Sequence, residues 1–398
     1  MTSSVLVVAM ELKNLKLKHF RNYEAAEVTF SPGINVLVGA NAQGKTSLLE
    51  AIYVLALARS HRTKQERDLI QWGASESYLA GEVRFRQGQR PLSLTLWPKG
   101  KIARANHLEL PRLSDYIGQL RVVLFAPEDL TLLKGPPAER RQFIDRELSQ
   151  MNPLYLHELL TYQHELKQRN AYLKQLRKGQ AKDRTLLDIL TEQLAASGAR
   201  MLAMRQAFVE QLEAWAGPVH EAISDQKEKL TLAYDTRLPW PKAEAGALDA
   251  DPNTQAQALT QALEENLLAA YEEQAAAEIE RGTTLLGPHR DDLLVYINGR
   301  EVKRYGSQGQ QRTGVLSMKL AELDCMAQAT GEYPLLLLDD VLSELDAKRQ
   351  TLLLQVIEDK VQTFLTTTSL EGVNWDVLKN PHGYRISQGQ VEPCEIKN

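Results

Sequence analysis

Hydrophobic and polar positions change their period along the chain. Near the N-terminus, short runs of strand-like composition flank the turn-forming pair Pro32-Gly33. Residues 47–58, SLLEAIYVLALA, are apolar on nearly every side of a helix, which predicts that this helix is buried. Strand-like runs return at residues 77–85, 91–98 and 121–127. A strand, a glycine-rich turn, a helix and further sheet together predict an α/β fold.

The pattern becomes helical from Pro136 onward. Leu159, Leu166 and Leu173 recur every seven residues and predict one helix. A second helix is predicted by apolar residues at a three-four spacing, namely Leu187, Leu190, Leu194, Met201, Met204, Phe208, Leu212 and Trp215. Residues 178–184, KGQAKDR, are polar and turn-like. We therefore expect an antiparallel helical hairpin with arms of roughly 25 residues, each about 40 Å long.

The helical region interrupts the α/β pattern. A segment rich in proline, alanine and acids, residues 239–253, leads through another helix to the strand-like residues 293–297. The second lobe is thus predicted to be inserted into the first. We assign residues 1–137 and 282–398 to an α/β head and residues 138–281 to a helical lobe.

Composition places the chain among globular proteins. It has 398 residues, of which 43% are hydrophobic and 25% charged, and no segment approaches the roughly 18 unbroken apolar residues of a membrane span. We expect a cytoplasmic protein with no membrane partner. The opening residues lack a basic leader and a cleavage site, and Met10 offers a second start, so we expect the first nine residues to be dispensable. Cys325 and Cys394 have no partners at ligand spacing, which argues against a disulfide framework and a zinc site.

Charge is unevenly distributed around a net value of −4. Residues 243–280 contain nine acids and no base, whereas residues 162–184 contain seven bases and two acids. Any DNA-binding surface must therefore be a local patch. The candidates are Lys167, Arg169, Lys174, Arg177, Lys178, Lys182 and Arg184. A solvated helix face is the alternative, and no aromatic-interleaved motif predicts base-specific reading.

The strongest motif is GANAQGKT, residues 39–46, which fits G-x-x-x-x-G-K-[ST] between an apolar strand and a helix. In such a loop the backbone amides and the helix dipole hold phosphates, Lys45 pairs with the outer phosphates, and the Thr46 hydroxyl meets Mg²⁺. The sequence thus predicts ATP and Mg²⁺ as ligands. The candidate nucleotide-binding residues here are Gly39, Ala40, Asn41, Ala42, Gln43, Gly44, Lys45, Thr46 and Ser47.

A second candidate site follows the apolar run Leu335–Leu338, which predicts a buried parallel strand. Asp339 and Asp340 come directly after it, at the carboxyl edge where ligands of such sheets bind. We assign Asp339 to Mg²⁺ and Asp340 to orienting the attacking water. An acidic turn after a strand is the alternative, which the upstream loop disfavours.

A further glycine-rich loop, SQGQQ at residues 307–311, precedes an amphipathic helix expected from Arg312. Alone it would be a turn and a helix cap. In the order of residues 39–46, 307–311, 335–340 and 343–346, however, the chain resembles ABC-type ATPases. The resemblance implies an ABC-type ATPase head with an inserted helical lobe, in which the signature loop of one head contacts the γ-phosphate bound by another. It places Ser307 and Gly309 opposite Lys45 in a homodimer formed with ATP.

Five further segments indicate a particular family within the ABC-type ATPases. They lie at residues 19–23, 60–63, 127–145, 162–174 and 287–292. Together they are similar to the RecF family of bacterial DNA replication and repair proteins, over nearly all of the chain from Met10. This implies an ATP-dependent DNA-binding protein that hydrolyses ATP slowly, dimerises through its heads, and acts with RecO and RecR in loading recombinase at single-strand gaps and in SOS induction.

The resemblance implies functional roles for the residues of this chain that match the motifs of the family. Arg21 and Asn22 would lie near the nucleotide, and Asp346 would belong to a loop that crosses the dimer. Arg62 would be a γ-phosphate arginine, with a solvated arginine in a basic loop as the alternative.

The chain also departs from the wider ABC pattern. Asp340 stands where transporter-type ATPases have glutamate, a shorter reach that fits slow turnover. Thr367 stands where they have a switch histidine and cannot titrate as an imidazole does. Glu128 occupies the place of a metal-binding glutamine.

Two other functions fit parts of the pattern. A transporter ATPase subunit would share the head, but the basic hairpin stands where its coupling surface would be. In a P-loop kinase, the loops at residues 307–311 and 343–346 would have no function. The segment GPHRDD, residues 287–292, has no assigned role beyond a tight turn.

Overall fold

The computed structural model describes residues 8–241, 251–371 and 373–396, without the side chains of Pro252 and Glu344. The chain forms two compact units. The first comprises residues up to 130, residues 215–228 and residues from 312 onward, and the second comprises residues 131–214 and 229–311. Residues 242–250 of the acidic segment lie outside the described residues.

The first unit contains a mainly parallel six-stranded sheet. Its strands, in spatial order, are β17 (Gln390–Cys394), β16 (His382–Ser387), β4 (Ile34–Val38), β15 (Thr363–Thr367), β14 (Leu335–Leu338) and β9 (Val122–Phe125). Only β17 runs antiparallel to its neighbour among these described strands. Every residue of β14 and β15 is buried, as expected for parallel strands covered on both faces.

A second, antiparallel sheet of the same unit has six strands. In spatial order these are β3 (Tyr23–Thr29), β2 (Glu11–Phe20), β5 (Ser77–Phe85), β6 (Gly88–Trp97), β7 (Gly100–Ala105) and β8 (Leu108–Glu109). Alternate residues of β5 are buried, because one face of the sheet packs on the core. Helix α1 (Lys45–Leu57) contacts strands of both sheets, and the predicted buried helix is confirmed.

A short parallel pair joins β1 (Val8–Ala9) to β13 (Glu332–Tyr333), and the Met10 amide donates to the Tyr333 carbonyl at 2.9 Å. A chain starting at Met10 would lose this pair. Residues 1–7 lie outside the described residues, so the dispensability of the first nine residues stays a prediction.

The second unit is mainly helical. Its described elements include α2 (Thr131–Lys134), α3 (Pro137–Met151), α4 (Pro153–Arg177), α6 (Pro252–Arg281), α7 (Val302–Tyr305) and a three-stranded sheet of β10 (Leu230–Asp235), β11 (Asp292–Ile297) and β12 (Arg300–Glu301). Helix α5 (Arg184–Ile223) begins in this unit. Arg169 of α4 donates to Thr191 of α5 at 2.9 Å, and Ser197 donates to Glu165 at 2.5 Å. Residue numbers rise along one helix as they fall along the other, so the predicted antiparallel hairpin is present.

The hairpin arms differ in length, which the sequence pattern did not predict. Helix α4 has the expected 25 residues, but α5 has 40. Its apolar positions continue beyond Trp215 to Ala216 and Ile223, which are both buried. Residues 215–228 belong to the first unit, where His220 lies 3.1 Å from the Ser317 hydroxyl.

The compact units therefore divide the chain at other points than residues 137 and 282. Residues 282–311 belong to the second unit because β11 pairs with β10 along its whole length. The helices that complete the first unit are α8 (Gln308–Thr330), which begins in the second, and α9 (Ala347–Ile357). Helix α8 begins four residues before the expected Arg312. A capping box causes this, since Ser307 Oγ accepts from the Gln310 amide and Gln310 Oε1 accepts from the Ser307 amide.

The GPHRDD segment is anchored in a buried polar network of the second unit. Arg205, which is 2% exposed, donates to the Pro288 carbonyl and the Asp145 carboxylate, both at 2.7 Å. Gly287 has φ of 113°, and a Cβ at this position would lie 2.7 Å from two tyrosine hydroxyls. Only glycine fits this turn without displacement.

Candidate functional site

The phosphate-binding loop connects β4 to α1 in the first unit. Gly44 has φ of 117°, and a Cβ there would lie 2.7 Å from the Asn22 amide nitrogen. A Cβ on Gly39 would lie 2.3 Å from the Ile386 carbonyl oxygen. Both glycines are thus required by the close approach of the backbone. The loop follows the carboxyl end of β4 and leads directly into the N-terminus of α1, a position that favours anions.

Lys45 is the first residue of α1 and is nearly buried. Its Nζ donates to the carbonyls of Gly39 at 2.6 Å and Ala40 at 2.9 Å. Burial lowers the pKa of Lys45, and the nearby carboxylates of Asp340 and Asp339 oppose this shift. The ammonium group is therefore held over the loop by neutral carbonyls that a phosphate oxygen can replace.

The two aspartates follow β14 and have different surroundings. Asp339 Oδ1 accepts from the hydroxyls of Thr46 at 3.0 Å and Thr366 at 2.8 Å. The Asp340 amide donates to the same Thr366 hydroxyl at 2.8 Å, and Asp340 has φ of 53°. Thr366 of β15 thus fixes both aspartates, although the sequence pattern did not single it out.

A buried carboxylate orders the arginines of the site. Glu50 of α1 is fully buried and accepts from Arg21 Nε at 2.9 Å and Nη2 at 2.7 Å. Arg62 Nη1 lies 3.5 Å from the same carboxylate, and Ser60 donates to it at 2.5 Å. Burial alone would raise the pKa of Glu50. The hydrogen bonds from Arg21 and Ser60 outweigh this effect, so the pKa of Glu50 lies below its usual value. Glu50 is therefore held as an anion between two arginines.

These groups surround one cavity of about 770 Å³. Its lining contains eleven of the predicted residues: Arg21, Asn22, Asn41, Ala42, Gly44, Lys45, Thr46, Ser47, Arg62, Asp339 and Asp340. The remaining lining residues are Arg67, Asp68, Ile70, Gln71, Trp72, Gly73, Ala74, Pro98, Thr366 and Thr368. All of them belong to the first unit. The volume lies within the range of roughly 300–1,000 Å³ that small-molecule pockets occupy.

Four predicted residues support the cavity through the backbone without lining it. Gly39 and Ala40 accept from Lys45, and the Gly39 amide donates to the Thr367 carbonyl at 3.3 Å. The Gln43 carbonyl accepts from Asn22 at 3.2 Å. The Thr367 hydroxyl donates to the Ser369 carbonyl at 2.7 Å, so Thr368, the next residue, is the one that reaches the cavity.

Four other predicted residues also lie outside the lining. Glu128 is exposed on a short helical turn, Pro127–Leu130, that directly follows β9. Asp346 caps α9 by accepting from the Arg349 amide at 2.9 Å. In the second unit, Ser307 and Gly309 are exposed at the start of α8. The roles assigned to these four residues stay predictions.

The basic hairpin requires one correction. Arg169 is 1% exposed, pairs with Glu278 at 2.7 Å and lies 4.7 Å from the centre of the Tyr271 ring. It is a core residue of the second unit and is not available to phosphates. The exposed basic residues are Lys167, Lys174, Arg177, Lys178, Lys182 and Arg184.

The chemistry of the cavity fits a magnesium nucleotide. Magnesium prefers oxygen ligands and is usually held by one or two protein groups together with substrate phosphates. Thr46 and Asp339 supply a hydroxyl and a carboxylate whose oxygens lie 3.0 Å apart. Among the described residues there is no group of three or more His, Cys, Asp or Glu that could hold a metal alone. The donor set therefore suits an ion that shares its ligands with a phosphate.

Residues 11–374 match the model of the RecF/RecN/SMC N terminal domain family. The chain is 52% identical over 382 residues to the DNA replication and repair protein RecF of Latilactobacillus sakei, covering 96% of this chain and 98% of that protein. It is 48% identical to the RecF of Bacillus velezensis, covering 96% and 100%. The chain belongs to the RecF family. The resemblance expected from the sequence is thus confirmed.

Solved structures agree with this assignment. The chain matches a RecF-ATP structure, described as the recombination mediator protein in the RecFOR pathway, with a TM-score of 0.86 and 31% identity over 97% of this chain and 99% of that one. A Smc head domain from Pyrococcus furiosus shares the fold at 15% identity and a TM-score of 0.54. The predicted ABC-type head with an inserted helical lobe is confirmed for this RecF family member. Within the described part of the chain, no helix has the length and apolar character needed to cross a bilayer.

Proposed function

We propose that this protein is an ATP-driven switch that binds DNA during replication and recombinational repair. ATP closes two heads on DNA, and slow hydrolysis releases them. The main observation in support of this proposal is that Lys45, Thr46 and Asp339 line the same cavity. The RecF names of the relatives and the ATP in a 31% identical RecF structure support this reading.

In this proposal the loop amides and Lys45 bind the outer phosphates of ATP. Mg²⁺, held by Thr46 and Asp339 and with Glu128 as a further candidate ligand, would neutralise charge that develops on the transferred phosphoryl group. Arg21 and Arg62, which Glu50 orients, add positive charge to the same cavity. Asn22 and Ser47 line the cavity beside them.

Hydrolysis requires a water molecule aligned with the γ-phosphorus. Asp340 lies beside Asp339 in the cavity lining, and Thr366 fixes its backbone. Asp340 would orient this water so that its oxygen bonds to the γ-phosphorus while the bond from the γ-phosphorus to the bridging oxygen breaks, which yields ADP, inorganic phosphate and a proton released to solvent. An aspartate reaches less far than a glutamate, so we expect slow turnover.

A second copy of the chain would complete the site. The cavity is lined by the first unit, whereas Ser307 and Gly309 are exposed at the start of a 23-residue helix. The start of a helix favours anions because of the helix dipole. We propose that this loop meets the γ-phosphate bound by the partner head, with Asp346 and Thr367 near the same junction.

The exposed lysines and arginines at the end of the α4–α5 hairpin are the proposed DNA contacts. Six of them lie within residues 167–184 and face solvent. They would contact phosphates of single-stranded, duplex or gapped DNA without reading bases. RecO and RecR are the proposed partners in recombinase loading at gaps and in SOS induction, in line with the RecFOR pathway named for the structural relative.

Light scattering on Asp340→Asn tests the switch. We expect the solution mass to double with Mg·ATP and to remain that of a monomer with Mg·ADP. Asp359→Asn, an exposed substitution outside the cavity lining, should retain hydrolysis and serves as the control. A monomer in both nucleotides, with ATP shown to be bound, would refute ATP-driven closure.

Salt dependence tests the DNA surface. Replacing Lys167, Lys174, Lys178 and Lys182 by glutamine should flatten the plot of log affinity against log salt by up to about 0.9 per lost duplex contact. Glutamines at Lys348 and Lys379, which are exposed elsewhere, should leave the slope unchanged. Equal slopes for both variants would remove the hairpin from the proposal.

A further inference from the structure

Trp72 is the most exposed large apolar residue in the described part of the chain, at 97%. An indole is ordinarily among the most buried side chains, and exposed apolar surface marks binding sites. Trp72 also lines the same cavity as Lys45 and Thr46. The exposed indole borders both the candidate nucleotide site and a neighbouring cavity lined by Lys18, His19 and Tyr78, and nothing in the phosphate chemistry above uses it.

The backbone that carries Trp72 is fixed. The Ala74 amide donates to the Gln71 carbonyl at 3.0 Å, and Gly73 has φ of 88°, which together form a tight turn with Trp72 at its corner. The Gln71 amide donates to the His19 carbonyl at 2.9 Å, and a further bond of 3.1 Å joins their side chains. The indole is thus presented on an ordered loop.

The same loop is bonded to the strand end that carries Arg21 and Asn22. Ile70 forms an antiparallel bridge with Phe20, and the Arg21 amide donates to the Leu69 carbonyl at 2.9 Å. Because Arg21 and Asn22 line the cavity too, the position of Trp72 is coupled to that of the polar lining through backbone hydrogen bonds.

The lining of the cavity has two chemical characters. One set is charged or polar and includes Lys45, Thr46, Asp339 and Asp340. Outside the loop at residues 39–46, the other is apolar or small and consists of Ile70, Trp72, Gly73, Ala74 and Pro98. A ligand that matches both sets has a polyanionic part and a flat apolar part. A nucleoside triphosphate has this composition, and an inorganic polyphosphate lacks the second part.

We propose that Trp72 stacks on the base of the nucleotide whose phosphates the loop at residues 39–46 binds. This inference rests on the proposed nucleotide binding and assigns its base subsite. Stacking on an indole is tolerant of base identity because every base has a π-face. Trp72 therefore strengthens binding of ATP and GTP alike, and discrimination between them is left to other groups.

Calorimetric titration of Trp72→Ala, Trp72→Phe and the unmodified chain with ATP, GTP and inorganic tripolyphosphate tests this assignment. We expect Trp72→Ala to weaken ATP and GTP by about 5- to 150-fold and to leave tripolyphosphate within about twofold. Trp72→Phe should retain most of the affinity. Leu108→Ala removes another exposed apolar side chain, 70% exposed and outside the cavity lining, and should change none of the three affinities.

Three outcomes would overturn the proposal. Unchanged ATP affinity in Trp72→Ala would do so, and so would an equal loss for tripolyphosphate, which would indicate a collapsed loop. Unchanged ATP affinity combined with lost DNA binding or lost dimerisation would assign Trp72 to a macromolecular contact instead. Failure of the unmodified chain to bind ATP would refute the proposed function itself, which separates the two conclusions.

Discussion

Glu50 offers the most direct test of how the cavity is held together. Replacing it by glutamine keeps the shape of the side chain and removes the charge. Arg21 would lose a two-point contact of 2.9 and 2.7 Å to a carboxylate that is fully buried. Breaking a buried charge pair costs about 3–5 kcal/mol. Because the Arg21 side chain is 21% exposed and regains some water, we expect a loss near the lower bound, roughly 3 kcal/mol in the free energy of unfolding.

The effect should also depend on pH. The pKa of Glu50 is lowered in the folded state, so its stabilising contribution is present above the unfolded pKa of about 4.3 and is lost as pH falls through the folded pKa. The difference between the two proteins should therefore shrink in acid. At neutral pH, Glu50→Gln should also weaken ATP binding, because Arg21 lines the cavity.

Urea denaturation at pH 7 and in acid measures both effects. Glu27→Gln is the matched control, since Glu27 pairs with Lys16 at 3.3 Å on the surface, where both side chains are more than half exposed. Surface ion pairs contribute about 0–1 kcal/mol, so this control should change the free energy of unfolding very little. If Glu50→Gln cost no more than Glu27→Gln, the carboxylate would not organise the site and the reasoning would fail.

Two further substitutions test the network around GPHRDD by urea denaturation. Gly287→Ala should destabilise the second unit by roughly 2–3 kcal/mol, whereas Gly299→Ala, with φ of 74° and nothing within 4 Å, should cost only the backbone strain of about 1–2 kcal/mol; equal losses would contradict the close packing. Burial lowers the pKa of His289 to about 4. Its contribution is present above the unfolded pKa of about 6.5 and is lost as pH falls towards 4, so the advantage over His289→Gln should shrink by roughly 3 kcal/mol in that window, and a constant difference would refute the shift.

Local patterns were sufficient for the elements that are proposed to hold the phosphates. An apolar run followed by GANAQGKT predicted β4, the loop and α1, and four leucines before two aspartates predicted β14. In both cases the strand, the turn and the functional residues are contiguous in sequence. Thr366 and Trp72 were missed because they lie on elements far in sequence from this loop, although both line the cavity. Glu50 was missed because it acts through Arg21 and does not line the cavity itself. A carboxylate inside an otherwise apolar helix was the available signal for Glu50.

Long-range pairing explains the error at Arg169 and the difference between the predicted domain boundaries and the compact units. Arg169 belongs to a run of bases that predicts a solvated face, but its partner Glu278 is far away in sequence and lies on α6. The unit boundaries depend on β10 pairing with β11 across α6, which periodicity along the chain does not report. Such features require the tertiary structure, because the sequence near each residue is compatible with either outcome.

One substitution can separate the observed role of Ser307 as a helix cap from its proposed role at the γ-phosphate of a partner head. The Ser307 hydroxyl accepts from the Gln310 amide at 3.2 Å and thereby caps α8. Aspartate caps helices about as well as serine, so Ser307→Asp should change the free energy of unfolding by less than about 0.5 kcal/mol. If the loop meets the γ-phosphate of a partner head, however, the added negative charge repels it. We then expect Ser307→Asp in the Asp340→Asn background to bind ATP and stay monomeric by light scattering, whereas doubling to the same mass would leave Ser307 with its capping role alone.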